Sequence, residues 1–129
     1  MATLRTPCHP RQWAVLLALW LLFPEGGQAQ TPEYLLNQTA RAIARIGLVE
    51  PVCGPFYLLD RKMIAAMERA FLQDGIERFG EAPVRRTVAS ARNEISSQAR
   101  NIGAARWCPE QRQFYRAPGV PEFIGQPLQ

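Results

Sequence analysis

Two cysteines about fifty-five residues apart, Cys53 and Cys108, restrict this fold more than any other feature. Bonding them requires their Cα atoms to come within roughly 7 Å. The chain also holds Cys8, so whether Cys53 and Cys108 form a pair depends on what the N-terminus is. Arg5, His9 and Arg11 give a basic start with no acid before Glu25. The segment from Trp13 to Phe23 is an uninterrupted apolar run that Pro24, Gly26 and Gly27 end, and Gly27-Gln28-Ala29 puts small residues where a signal peptidase reads. The run is far below the ~20 residues needed to span a bilayer. Residues 1–29 are therefore expected to be a cleavable signal peptide, the competing readings being an uncleaved anchor or a buried core helix. Cys8 precedes the apolar run, which argues against a lipoprotein.

Cleavage would change the inventory. Arg5, Arg11 and Glu25 would leave the fifteen basic and eleven acidic side chains, for a net charge of +3. His9, the one histidine, would go, and so would Cys8. An exported chain left with two cysteines is expected to bond them; the alternative is two free thiols. In the chain-entropy model a loop of this size contributes at most about 4 kcal/mol. That matters to a domain of ~100 residues, which buries a modest share of its surface.

The remaining sequence predicts an all-α fold, a small up-down-up three-helix bundle tied by the Cys53–Cys108 disulfide, with a proline-rich tail. Thr31-Pro32-Glu33 supplies a hydroxyl cap, a proline at the first helical position and an acid at the positive end of the dipole. Leu35, Leu36, Thr39, Ala42, Ile43 and Ile46 then recur at helical steps. Gly47 is expected to stop this first helix, and Leu48 to Phe56, with Pro51, Gly54 and Pro55, to be loop. The second helix is expected from Leu58 or Asp60, with Asp60 as its cap, to Gly80. Met63, Ile64, Met67, Ala70, Phe71 and Ile76 mark its buried side, and Gly75 marks a site for a kink. The third is expected from Pro83 to about Trp107, with Val84, Val88, Ala91, Ile95, Ala99 and Ile102 inward. In that order the first connection and the end of the third helix share one pole, which would bring Cys53 to Cys108. Three segments result: signal 1–29, bundle 30–108 and extended tail 109–129. Pro109, Pro118, Pro121 and Pro127 are expected to exclude a regular helix from the tail. The tail either lies along the bundle, the arrangement favoured here, or docks on a partner.

For chemistry, a chain without histidine after cleavage lacks a Ser-His-Asp or Cys-His arrangement and any histidine metal site. Paired cysteines leave neither thiolate nucleophile nor zinc ligand. No glycine-rich phosphate loop or Cys-x-x-Cys motif is present, so no cofactor and no metal are expected. Glu68, Asp74 and Glu94 remain as conceivable acids and bases, and each is more simply read as a solvated helix face. Beyond residue 29 the chain carries twelve arginines and one lysine, Lys62. Arg85, Arg92, Arg100 and Arg106 would form a stripe along the third helix, at ~100° per residue, opposed there only by Glu94. Such a stripe is a candidate for binding an anionic ligand or surface; equally, arginine stems cover apolar surface while their heads stay wet. In the tail, Phe114, Tyr115 and Phe123 are candidate anchors for a protein partner. Asn37-Gln38-Thr39 is a glycosylation sequon, meaningful only in a eukaryotic secretory route.

These features suggest an exported, non-enzymatic binding or interaction protein of the bacterial cell envelope, periplasmic rather than extracellular, with an envelope protein as partner. Nucleic acid is a poor candidate, given export and the small net charge. The general plan resembles periplasmic stress chaperones of the acid-protective kind in architecture alone, which leaves a chaperone or inhibitor as one alternative. A small enzyme using carboxylates is another. Oligomeric state is open, since short apolar faces also suit a dimer.

Overall fold

The computed structural model describes residues 30–129, so the signal-peptide expectation lies outside the described residues. The chain folds in the order α1 (Pro32–Cys53), β1 (Tyr57–Leu59), α2 (Arg61–Phe79), α3 (Glu81–Ile102), α4 (Ala104–Phe114) and β2 (Ile124–Pro127). Among the described residues it is mostly helical, but the expected three-helix bundle becomes four helices and a two-stranded sheet.

α1 begins as its sequence dictates. Thr31 is extended, and its hydroxyl accepts from the Tyr34 amide at 3.2 Å. The helix then runs past Gly47, the expected stop, and takes in Pro51, so the loop expected from Leu48 is helical as far as Cys53. Burial explains the difference. Leu48, Val49 and Cys53 all face the core, and a buried aliphatic side chain contributes about 1.5–3 kcal/mol. A helical glycine costs only about 1 kcal/mol against alanine. Pro51 lies in the last turn, where the carbonyl it leaves without an amide donor is that of Gly47. Gly47 itself marks a close approach. A Cβ there would stand 2.7 Å from a terminal nitrogen of Arg92 and 2.7 Å from Oε1 of Glu68.

Asp60 caps α2 by accepting from the Met63 amide at 3.0 Å. α2 presses on α1 at Gly75, where an added Cβ would meet Thr39 Cγ2 at 3.1 Å. Its outer half is less buried than its apolar pattern suggests, with Ala70 and Phe71 exposed. α3 buries Val84, Ala91, Ile95 and Ala99. It does not reach Trp107, because Gly103 takes φ 81° and ψ 152° and ends it at Ile102. α4 starts immediately after and includes Pro109, so the expectation of an extended segment from 109 is corrected as well. Trp107 and Cys108 are buried on either side of that first turn and a half, and Gln111 follows them. Burial of Trp107 and Cys108 outweighs the hydrogen bond that proline removes.

α1 is the central element and packs against α2, α3, α4 and β1. Cys53 and Cys108 are bonded at one pole, with Cα atoms 5.7 Å apart. Around them gather Trp107, Ile64, Phe123 and Ile124. The tail therefore lies against the helices. Phe123 and Ile124 are each 2% exposed, and β2 runs antiparallel to β1 with Leu59 opposite Ile124 and Tyr57 opposite Pro127. The Asp60 amide donates to the Phe123 carbonyl at 2.9 Å, and the Leu128 amide to the Phe56 carbonyl at 2.8 Å. Asp60 thus caps α2 with its side chain and pins the tail with its backbone.

Candidate binding pole

The four arginines of the expected stripe are placed differently from one another. Arg85 pairs with Glu81 at 2.8 Å, and Arg92 with Glu68 at 3.1 Å. Arg100 donates to the Ser96 hydroxyl at 2.8 Å. Arg106 stands beyond the Gly103 turn, on α4, and pairs with Glu110 at 3.3 Å. The stripe is thus interrupted after Arg100, and three of its four guanidiniums already have a carboxylate. Glu94, the one acid weighed against them in the sequence, bonds Arg41 of α1 at 2.8 Å instead. Exposed pairs of this kind are worth about 0–1 kcal/mol each. Arg85 and Arg92 also rim a groove of about 440 Å³ between α2 and α3, with Ile43 of α1, Leu72 and Val88 among its apolar lining.

The three aromatic residues of the tail also separate. Phe123 is core. Tyr115 is half-buried between Phe123 (ring centroids 4.9 Å) and Phe114 (5.0 Å, edge to face). Phe114 alone is open to solvent, at 63% exposure, and the Arg45 guanidinium lies 4.5 Å from its ring centroid. Burial pushes the Tyr115 phenol up to about 12, an effect the nearby positive charge of Arg45 partly offsets. The phenol is therefore neutral at physiological pH and can only donate or accept as a hydroxyl.

These residues belong to a larger constellation that the sequence reading passed over. Arg45 Nε, Gln111 Oε1, Arg112 Nε and the Tyr115 hydroxyl are all buried without a hydrogen-bond partner among the described residues. Buried polar atoms left in this state cost about 1–3 kcal/mol each, so their concentration on one turn of α4 and the facing α1 is unusual. Arg112 and Arg116 share a single carboxylate, Glu122, at 4.0 Å and 3.0 Å respectively. On the side of Glu122 they bound a cavity of about 10 Å³. On the other they line an open cleft of about 510 Å³ with Tyr57, Pro109, Gln113 and Pro127. Arg112 is in the last turn of α4, which Pro109 argued against, and Arg116 lies two residues past its end, so what joins them is the shared Glu122 and not a helical period.

The same pole carries an apolar face. Phe56, in the turn before β1, and Leu58, on β1, are 53% and 61% exposed. Leu128 lies beside Phe56 through their backbone hydrogen bond, at 48% exposure. Among the described residues no group of histidine, cysteine and acidic side chains suits a metal ion, and no helix is long and apolar enough to cross a membrane. No family model, curated protein or solved structure matches the chain.

Proposed function

We propose that this is an exported, non-enzymatic binding protein of the bacterial cell envelope, and that it meets a protein partner with the pole built from α4 and the β1–β2 sheet. One observation carries the reading. Leu58 on β1 and the flanking Phe56 and Leu128, which share a backbone hydrogen bond, are all exposed beside the two-stranded sheet. Single exposed apolar residues are ordinary, whereas a grouped set beside charged residues suits a protein contact. Phe114, exposed with the Arg45 guanidinium 4.5 Å from its ring centroid, offers a further aromatic contact, and aromatic and arginine side chains are the types that dominate interface energies. Export is supported by the leader-like residues 1–29 and by the bonded cysteines.

The test is native co-purification from envelope extracts, comparing the protein with a Leu58→Ser/Leu128→Ser variant. Both substituted side chains lie outside the core, so the variant keeps its fold. A truncation at Cys108 is unsuitable, since it deletes Phe123, Ile124 and most of α4. A protein held by the unaltered chain and lost from the variant supports the reading. Equal retention by both, or no specific protein with either, contradicts it. N-terminal sequencing of the exported form checks cleavage after Ala29.

A further inference from the structure

The cleft beside the sheet has a chemistry of its own, independent of the apolar face. Its lining of Tyr57, Pro109, Arg112, Gln113, Arg116 and Pro127 holds two guanidiniums, an amide and a phenol, and no carboxylate. The one acid that neutralises these arginines, Glu122, approaches from the opposite side and is divided between them. Arg112 is the less satisfied of the two. It is largely buried, its Nε has no acceptor, and its nearest carboxylate oxygen stands at 4.0 Å. A partly desolvated cation without a close counter-charge favours an anion at its open side. Two arginines against one glutamate leave a local charge near +1, which suits a single negative charge rather than a polyanion. Two proline rings and the Tyr57 ring supply the apolar part of the wall, and the open cleft, about 510 Å³ in volume, has room for a small molecule.

We propose that this cleft binds a small organic monoanion, its carboxylate held by Arg112 and Arg116 and its apolar body lodged between Tyr57, Pro109 and Pro127. Arg112 lies in the last turn of α4 and Arg116 two residues past its end, and both guanidiniums line the cleft and reach the same Glu122 carboxylate, so they are close enough for one oxyanion to accept from both. Gln113 lies at the mouth, exposed, where its amide can donate to the same guest.

Benzoate is the probe, titrated into the intact, disulfide-bonded protein and followed by NMR at the arginine Nε–H groups and the Tyr57 ring. The burial of Arg112 Nε slows its exchange and makes its signal observable. Saturable shifts of Arg112, Arg116 and Tyr57 are expected, with a dissociation constant of roughly 1 mM. Benzyl alcohol, matched in shape but neutral, and inorganic phosphate, charged but without a ring, should each bind at least about tenfold more weakly. Gln113→Glu places a carboxylate at the mouth without touching the core and should weaken benzoate about tenfold or more, as should Arg112→Gln. Leu58→Ser, on the apolar face, should leave the benzoate constant unchanged, which separates this site from the docking surface. Shifts that stay linear with concentration, or a constant unmoved by Gln113→Glu, overturn the proposal. Benzyl alcohol binding as well as benzoate removes the role of the charge, and phosphate binding as well removes that of the ring; either result also overturns it.

Discussion

Replacing Phe123 by alanine and, separately, Phe114 by alanine measures what holds the C-terminal segment in place. Phe123 is 2% exposed and packs with Tyr115 and the disulfide pole. Truncating a phenylalanine so deeply buried costs about 3–5 kcal/mol, the transfer free energy plus the cavity. Phe114 is 63% exposed, and its specific contacts are the Arg45 guanidinium and the edge of Tyr115. A cation–π contact at an exposed site is worth about 0.5–1 kcal/mol and an aromatic pair about 0.5–1.5 kcal/mol, so its loss should cost about 1–2 kcal/mol. A domain of this size has a total stability near the low end of about 5–15 kcal/mol, so Phe123→Ala should leave it close to unfolding while Phe114→Ala costs clearly less. Urea unfolding followed by circular dichroism gives both numbers, with unchanged slopes confirming that the midpoint shift reflects stability. A cost below about 1 kcal/mol for Phe123→Ala would refute the reasoning. It would mean that residues 115–129 contribute nothing to the core and that β2 is not paired with β1.

Four further outcomes follow from the same structure. Gly103→Ala should destabilise by roughly 1–3 kcal/mol in the same assay although nothing lies within 4 Å of the added Cβ, because φ 81° with ψ 152° strains any L side chain. Gly47→Ala should be neutral or gain up to about 1 kcal/mol of helix propensity, since the atoms its Cβ meets are the movable ends of Arg92 and Glu68; a loss above that size would show the Glu68–Arg92 pair to be rigid. Reduction of Cys53–Cys108 should cost up to about 4 kcal/mol, seen as a large fall in the melting temperature under reductant. The raised phenol of Tyr115 gives a pH effect. Its stabilising contribution is complete below pH 10 and is lost as pH rises toward about 12, where the folded state alone resists ionisation. Tyr115→Phe should therefore flatten that part of the stability profile, and an unchanged alkaline slope would count against burial of the phenol.

The local signals were legible wherever one short stretch decides the outcome. Thr31 and Asp60 are caps because a side-chain oxygen can reach an amide three residues on, and both do so here. The disulfide was legible from the two cysteines that remain beyond residue 29, although Cys108 sits on α4 and not after a third and last helix. The core positions Val84, Ala91, Ile95 and Ala99 were legible from their period. What escaped were the places where burial overrides a local penalty. Gly47 and Pro51 in α1 and Pro109 in α4 are poor helix residues carried by neighbours that are buried, and no local reading weighs those neighbours. The two strands are three and four residues long and about sixty-five positions apart, so neither has a pattern of its own; each exists because the other is beside it. The arginine stripe illustrates the same limit for the site. Its period was real as far as Arg100, but Gly103 broke it, and its counter-charges Glu68, Glu81 and Glu110 could be assigned only in three dimensions. Arg112 was missed because Pro109 hid α4, and Arg116, two residues past the end of that helix, belongs to no period that could have revealed it.

The most direct test of the binding pole is site-specific photocrosslinking in living cells, with the reactive residue placed at Leu58 on the sheet face or at Ala89 in the groove between α2 and α3. A discrete adduct with another envelope protein from position 58, and none from position 89, is the predicted result. An adduct from position 89 alone, or from neither, would contradict the assignment of the α4–sheet pole as the surface this protein uses.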